Sequence, residues 1–208
     1  KIDWRRFLFS FSLIVGISLL TFGISAYLDP SAIELQFDLK KFSILFFISI
    51  ILFPFQISLE EYLFRGYMMQ QIGVIVKNRW FPLILTSIIF GLFHYANPEV
   101  AEMGLITMVF YIGTGLLLGI MTLMDDGLEL ALGFHLGNNL IAALLITSDW
   151  SALQTDAVFR YTSEEANITN FEIIMPVFLI YPLLIIILSK KYKWSNWRDR
   201  LFGNLINP

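Results

Sequence analysis

Long apolar segments separated by short polar ones dominate the chain. A helix needs roughly 20 apolar residues to cross a hydrocarbon core of about 30 Å, and six segments approach or exceed that length. The fold class predicted by this pattern is all-α, a polytopic transmembrane helical bundle with about six membrane-spanning helices. The predicted spans lie near residues 7–28, 42–59, 81–96, 103–124, 129–147 and 171–189.

Composition supports the same class of protein. Hydrophobic residues make up 57% of the chain, charged residues make up 15%, and the mean hydropathy is +0.70. An average soluble domain has about 25% charged residues, so an ordinary soluble protein is excluded. We predict a single integral membrane domain over residues 1–208. Within the fourth apolar segment, Gly113, Gly115 and Gly119 indicate close packing between helices.

Lysine and arginine predict the orientation, because they accumulate on the cytoplasmic side of membrane proteins. With six crossings and an inside N-terminus, the residues on the cytoplasmic side are Lys1, Arg5, Arg6, Arg65, Lys77, Arg79, Lys190, Lys191, Lys193, Arg198 and Arg200. Three lie on the other side, namely Lys40, Lys41 and Arg160. Both termini are therefore predicted to be cytoplasmic, in the cytoplasmic membrane of a bacterium.

The last stretch of the chain, residues 190–208, combines basic residues with aromatic ones. This pattern is typical of a segment that lies on anionic lipid headgroups, so we predict a basic cytoplasmic juxtamembrane tail. Nucleic acid is a poorer partner, because the formal net charge of the chain is −3 and the basic patch adjoins a predicted span. The lipid bilayer is the partner that this stretch favours.

Polar and ionisable side chains occur in or beside three of the apolar segments, where such groups are costly and usually have a function. The chain has two histidines, and each lies in such a segment. In each cluster two residues stand four positions apart, which places their side chains on one face of a helix. We interpret the clusters as one buried reactive site. They are Glu60 and Glu61 with Arg65, Phe90 with His94, and His135 with Asn139.

These clusters can meet if the helix that carries Glu60 continues past its predicted span. A helix over residues 42–76 that reverses near Asn78 brings Glu60 level with His94 in an antiparallel hairpin. Such a helix would measure roughly 50 Å, so we expect tilt or a break, with a kink at Pro54. All three clusters would then share a buried polar chamber that faces the cytoplasm.

Taken in order, Glu60-Glu61-x-x-x-Arg65, Phe90-x-x-x-His94 and His135-x-x-x-Asn139 resemble the three motifs of the CPBP family of intramembrane proteases. That family includes the type II CAAX prenyl endopeptidases and bacterial proteins linked to bacteriocin processing and self-immunity. Each motif is weak alone, whereas the ordered trio is fairly specific. The resemblance covers residues 42–147, which would form the catalytic core.

The resemblance implies that the protein hydrolyses a peptide bond within the membrane. Glu60 would activate a water with the help of His94, and His135 and Asn139 would stabilise the oxyanion. This chemistry is sound, because a carboxylate can act as a general base and a donor aimed at developing charge is commonly worth about 3 to 4 kcal/mol. The substrate would be a membrane-associated protein or peptide, with lipidated proteins as one option. The supporting residues would be Glu61, Arg65 and Phe90.

A metal is an alternative to purely side-chain chemistry. Two histidines and a carboxylate from separate helices can hold zinc and leave one position open for water. The candidate ligands are Glu60, His94 and His135. Against a metalloprotease, the chain has no His-Glu-x-x-His motif and Asn139 suits a hydrogen-bond donor better than a zinc ligand. The cofactor prediction is therefore none, or one divalent metal such as zinc.

Two other function classes stay open at this point. A proton- or ion-coupled transporter could use the glutamates, Arg65 and the histidines as a relay, although the chain lacks a detectable repeat and has few spans for a transporter. A catalytically silent immunity or scaffold membrane protein could keep the same residues for folding. Replacing Glu60 by glutamine distinguishes the three classes.

Overall fold

The computed structural model of the protein describes residues 2–163 and 169–205. Its helices are α1 (Trp4–Leu28), α2 (Leu39–Glu61), α3 (Met69–Val76), α4 (Trp80–Leu92), α5 (Pro98–Met103), α6 (Thr107–Asp125), α7 (Glu129–Leu144), α8 (Asn170–Met175), α9 (Tyr181–Tyr192) and α10 (Trp197–Phe202). Two π-helical segments, Tyr62–Met68 and Pro176–Ile180, and a 3₁₀ turn, Pro30–Ala32, complete the helical part. The short strands are β1 (Ile33–Leu35), β2 (Ile146–Thr147) and β3 (Phe159–Tyr161).

The helical bundle confirms the predicted fold class. Four helices of the described chain are long and apolar enough to cross a membrane, namely Trp4–Leu28, Leu39–Val76, Thr107–Asp125 and Asn170–Tyr192. Helix α4 is apolar but has 13 residues, and α7 has 16. Both coincide with predicted spans, but at 1.5 Å per residue each is shorter than a hydrocarbon core of about 30 Å. Six complete crossings therefore stay a prediction.

The long helix that carries Glu60 continues as expected. It runs without interruption from Leu39 to Val76 over 38 residues, which corresponds to roughly 57 Å. Pro54 lies inside regular α2, whereas the departure from α-helical geometry comes later, in the π-helical segment Tyr62–Met68. The departure from α-helical hydrogen bonding therefore follows the two glutamates directly, and a kink at Pro54 stays a prediction.

Glycines set the closest helix contacts. A Cβ atom at Gly115 of α6 would lie 3.0 Å from the Ser87 Cα of α4, and one at Gly119 would overlap Leu83. This confirms the packing role predicted for these glycines. A second pair, Gly133 and Gly137 of α7, lies against the backbone of α1 in the same manner. Close approach of helix backbones stabilises bundles in lipid, where van der Waals packing replaces the hydrophobic effect.

The first and last described residues of the chain lie at the same end of the bundle, which is called here the terminal end. Asp125 at the end of α6 accepts hydrogen bonds from Arg6 Nε at 2.7 Å and Trp194 Nε1 at 3.2 Å. Leu205 N donates to Lys77 O at 2.9 Å. The terminal end therefore comprises residues 2–6, 77–79, 125–129 and 190–205. The described part of the predicted tail folds under the bundle, with Trp194 and Leu201 buried, while residues 206–208 lie outside the described residues.

The opposite end, called here the sheet end, carries a small sheet that the sequence pattern did not predict. Its strand order is β1-β3-β2, with β1 antiparallel and β2 parallel to β3. The loop before α2 joins it, because Gln36 N donates to Val158 O at 3.1 Å. The connection between α4 and α6 joins it as well, because Ala152 N donates to Glu99 at 2.8 Å. The sheet end therefore comprises residues 29–41, 97–106 and 144–161, together with the first turn of α8.

Candidate active site

Glu61 is the centre of a fully buried polar network. Its Oε1 atom accepts hydrogen bonds from Arg65 Nη1 at 3.0 Å and from His135 Nδ1 at 2.8 Å. Arg65 Nη2 also donates to the Gly115 carbonyl of α6 at 2.9 Å. The side chains of Glu61 and Arg65 are 0% and 1% exposed, so each charge has its partner inside the protein. The network ties α2, the π-helical segment, α6 and α7 together.

Glu60 has a different environment from its neighbour. Its side chain is 24% exposed and lines a cavity. Gln56, one turn earlier on α2, donates from Nε2 to Glu60 Oε1 at 3.1 Å. The other oxygen, Oε2, lies 3.7 Å from His135 Nε2, which is too long for a direct hydrogen bond. Glu60 is therefore a carboxylate that solvent and substrate can reach.

The imidazole of His135 is held in one orientation. A carboxylate only accepts hydrogen bonds, so the Nδ1 atom that contacts Glu61 carries a proton and Nε2 points towards Glu60. His135 is 5% exposed and is not among the residues that line the cavity, whereas Asn139 one turn later is. The two residues predicted to act together on the oxyanion thus have different positions. His135 lies behind Glu60, and Asn139 faces the cavity.

His94 lies in the turn after α4, and its Nδ1 atom is 2.9 Å from the Phe90 carbonyl oxygen. Because that carbonyl can only accept, Nδ1 carries the proton and the neutral ring has an acceptor at Nε2. The Phe90 ring centre lies 5.0 Å from that of His94 and 5.9 Å from that of His135. The Arg65 guanidinium lies 4.5 Å from the same ring centre. Phe90 therefore separates the two imidazoles and also packs on the buried cation.

Tyr111 on α6 is a site residue that the sequence analysis missed. Its ring stacks on His94 with 4.3 Å between the ring centres and 20° between the planes. The Tyr111 hydroxyl donates to Glu99 and accepts from Asn97 Nδ2 at 3.1 Å. This arrangement holds His94 between Phe90 and Tyr111. Tyr111 is one of many aromatic residues in apolar segments and belongs to no polar cluster, so no sequence signal marks it.

A cavity of about 640 Å³ connects these groups. Glu60, His94, Asn138 and Asn139 line it, together with Trp150 and its neighbouring loop. None of the described lining residues is a lysine or an arginine. The indole Nε1 of Trp150 is buried without a hydrogen-bond partner among the described residues.

Tyr161 of β3 also lines the cavity, outside the membrane-spanning helices. Burial raises the pKa of its phenol, and the nearby charge of Glu172 acts in the same direction. The hydroxyl therefore stays neutral at physiological pH. A neutral tyrosine at this position can both donate and accept a hydrogen bond.

The predicted metal ligands do not form a ligand group. Within the described residues, no set of three or more histidine, aspartate and glutamate side chains is arranged to hold a metal ion. Glu60, His94 and His135 thus do not fit the proposed metal site, and no step below passes through a metal.

The cavity extends towards the sheet end of the bundle, because residues 146–148, residues 150–153 and Tyr161 are among those that line it. The described chain ends lie at the terminal end. The sequence analysis predicted a chamber that faces the cytoplasm together with two cytoplasmic termini, and both stay predictions.

Comparison with known proteins identifies the core of the chain. A family described as type II CAAX prenyl endopeptidase, Rce1-like, matches residues 40–141, a range that contains the Glu60, His94 and Asn139 motifs. An uncharacterized protein of Bacillus subtilis, YyaK, is 32% identical over 152 residues. That match covers 71% of this chain and 50% of the relative, so the chain spans about half the length of the curated relative. No solved structure matches the chain.

Proposed function

The chain belongs, through residues 40–141, to the Rce1-like family of type II CAAX prenyl endopeptidases, and on this basis we propose that it is an intramembrane endopeptidase with Glu60 as its catalytic base. The observation that carries the proposal is the meeting of Glu60, His94 and Asn139 on one cavity. These residues come from three separate helical segments. A water that reaches Glu60 from the cavity is the nucleophile.

Glu60 is suited to remove a proton from that water. It is the exposed member of the Glu60–Glu61 pair, and its side chain lines the cavity, where a water can reach it. A positioned carboxylate base commonly contributes about 10² to 10⁴ in rate. His135 is a positioning residue in this scheme, because it lies next to the catalytic carboxylate and is itself held by Glu61.

His94 orients the attacking water. With Nδ1 donating to the Phe90 carbonyl, the neutral imidazole presents an acceptor at Nε2. That atom accepts the second hydrogen of the water, while Glu60 takes the first. The stacked rings of Phe90 and Tyr111 restrict rotation of the imidazole, so the water is held before the substrate arrives.

The reaction then proceeds in two steps. The water oxygen attacks the carbonyl carbon of the scissile peptide as its proton passes to Glu60, and the Asn139 amide donates to the resulting oxyanion. Collapse of this intermediate breaks the C–N bond, and Glu60 returns its proton to the leaving nitrogen. One preorganised donor in such a position is commonly worth about 3 to 4 kcal/mol. The products are a new carboxyl terminus and a new amino terminus.

The substrate is a protein or peptide in the membrane, because the cavity is bounded by helices that face lipid. Helix α2 packs mainly on α7, and α4 packs mainly on α6. Phe53 of α2 and Phe93, the residue after α4, both line the cavity. Phe93 is 72% exposed. An apolar segment can therefore approach the site from the side, between these two helices.

The first experiment compares protein termini in bacterial membranes that contain the wild-type chain or Glu60→Gln. Mass spectrometry should find pairs of new N- and C-termini that require wild type. The matched control is Glu102→Gln, which makes the same chemical change in α5, at a residue that does not line the cavity. It should give the wild-type pattern.

Three outcomes separate the candidate functions. Cleavage products that vanish with Glu60→Gln and persist with Glu102→Gln support the protease. A transporter would lose proton or ion coupling with Glu60→Gln and show no new termini in either form. A scaffold would keep its phenotype in both variants. Identical sets of termini from wild type and folded, inserted Glu60→Gln would overturn the proposed activity.

A further inference from the structure

Glu99 lies on α5, between the turn that carries His94 and helix α6, and its side chain is half-buried. Its Oε1 atom accepts hydrogen bonds from the Tyr111 hydroxyl and from Asn97 Nδ2, the latter at 3.2 Å. Its Oε2 atom accepts from Ala152 N at 2.8 Å. Each carboxylate oxygen therefore has a donor, and the donors belong to three different parts of the chain.

One of these donors belongs to a loop that lines the cavity. Residues 150–153, called here the cavity loop, line the cavity together with Glu99. The bond from Ala152 N joins segments that lie 53 positions apart in the sequence. Its length falls in the range of hydrogen bonds to an ionised acceptor, which are about twice as strong as neutral ones. Glu99 thus holds the cavity loop against the link between α4 and α6.

The other carboxylate oxygen acts on His94 through Tyr111. The Tyr111 ring stacks on the imidazole with 4.3 Å between the ring centres. Two donor and acceptor contacts hold the Tyr111 hydroxyl, one to Glu99 and one from Asn97 Nδ2 at 3.1 Å. Because the hydroxyl is fixed at the far edge of the ring, the ring cannot slide or tilt freely along the imidazole. The orientation of His94 therefore depends on Glu99.

We propose that Glu99 is a positioning residue of this site, which holds His94 through Tyr111 and holds the cavity loop through Ala152. The contacts alone carry the coupling, whereas its role in catalysis rests on the proposed protease function. In that scheme Glu99 has no contact with the reacting atoms. One carboxylate aligns the water that His94 orients with the wall of the cavity against which the substrate binds.

The coupling to His94 can be measured without a substrate, because the chain has two histidines. Protein with isotope-labelled histidine gives two sets of imidazole NMR signals in detergent, and His94→Gln assigns them. A stacked ring shifts the signals of its partner, so Glu99→Ala and Tyr111→Phe should both move the His94 signals. The His135 signals should keep their positions, since Glu61 holds that ring.

The matched control is Glu102→Ala, on the same helix at a residue that does not line the cavity. It should leave both histidines at their wild-type positions. Unchanged His94 signals in folded Glu99→Ala would overturn the proposal, and so would equal shifts of both histidines. If Glu99→Ala does not fold, Tyr111→Phe gives the answer, because it removes the hydroxyl and keeps the ring.

Amide hydrogen exchange tests the contact with the cavity loop. Glu99→Ala should speed exchange in residues 150–153, because Ala152 N loses its acceptor. Tyr111→Phe should leave exchange in this loop at the wild-type rate, since it breaks only the bond on the other side of the carboxylate. Wild-type exchange in the cavity loop of Glu99→Ala would overturn the part of the proposal that concerns the loop.

Kinetics separate a positioning role from a structural one. The substrate is a peptide containing a bond whose cleavage requires Glu60. Tyr111→Phe should lower kcat by roughly two- to fivefold, the lower part of the range for one hydrogen bond, and leave KM unchanged. Glu99→Ala should lower kcat to the same extent and also raise KM, because the cavity loop is released.

A double variant tests whether the two residues act on kcat through one path. Adding Tyr111→Phe to Glu99→Ala should lower kcat no further than Glu99→Ala alone, and independent losses that add would overturn the shared path. If no cleavage requires Glu60, the protease function and the catalytic role of Glu99 fall together. The NMR and hydrogen-exchange results would still show whether Glu99 couples His94 to the cavity loop.

Discussion

Glu60 and Glu61 are adjacent and chemically identical, but they occupy opposite environments. Glu61 is fully buried between Arg65 and His135, whereas Glu60 reaches the cavity with Gln56 as its hydrogen-bond donor. A step of one residue turns a helix by about 100°, which is enough to place one carboxylate in the core and the other in the cavity. Glu61 therefore has the environment of a residue that supports the fold, and Glu60 has the environment that the proposed mechanism requires.

The strongest test of this comparison is Glu60→Gln. The substitution keeps the shape and the Gln56 contact but removes the base, so the cleavage rate should fall by about 10² to 10⁴. The melting temperature in detergent should stay close to that of wild type, because the side chain is partly exposed. A large loss of thermal stability would show that Glu60 also supports the fold and would break the distinction.

Arg65→Met tests the buried half of the comparison. It leaves the Glu61 carboxylate without its cation, and breaking a buried pair in this way commonly costs about 3 to 5 kcal/mol of unfolding free energy. The measurement is thermal or denaturant unfolding of the purified protein. Adding Glu61→Gln to Arg65→Met removes the stranded charge and should restore part of the stability. No recovery in the double variant would argue against a stranded charge as the cause.

Asn139→Ala should reduce the rate while leaving the fold unchanged. Loss of one oxyanion donor commonly costs about 10² to 10³ in kcat, so the effect should appear in kcat at saturating substrate. Asn139→Asp offers a near-isosteric comparison, because an ionised carboxylate accepts hydrogen bonds but does not donate them. Wild-type kcat in Asn139→Asp would contradict the donor role.

Tyr111 provides the smallest expected effect. Tyr111→Leu removes the ring that stacks on His94, and an aromatic pair is worth about 0.5 to 1.5 kcal/mol, which corresponds to a rate loss of roughly 2- to 12-fold. Tyr111→Phe keeps the stack and should retain more activity than Tyr111→Leu. Equal rates in the two variants would show that the hydroxyl contact with Glu99, and not stacking, positions His94.

Sequence reasoning predicted the helical class and the residues of the three motifs, because both depend on local spacing. Positions four apart share a helix face whatever the tertiary structure, so the Glu61–Arg65 pair could be anticipated. We could also predict that the helix carrying Glu60 extends to residue 76, because only then does Glu60 lie level with His94. These predictions used only chain geometry and the cost of polar groups in lipid.

Other features depend on long-range packing and could not be predicted in this way. Tyr111 meets His94 because α4 and α6 pack against each other through Gly115. The position of His135 behind Glu60 depends on how α7 docks on α2. The shape of the cavity depends on the loops that line it, and their residues show no periodic pattern.

In the π-helical segment Tyr62–Met68, the number of residues matters as much as their identity. An α-helix turns about 100° per residue, and a π-helical segment accommodates residues that a regular helix of the same length would not. Deleting any one residue here would favour a regular helix and rotate α3 relative to the two glutamates, even if every side chain of the site were kept. Across related chains, alignment gaps should therefore be rarer in this segment than in the loops of the sheet end.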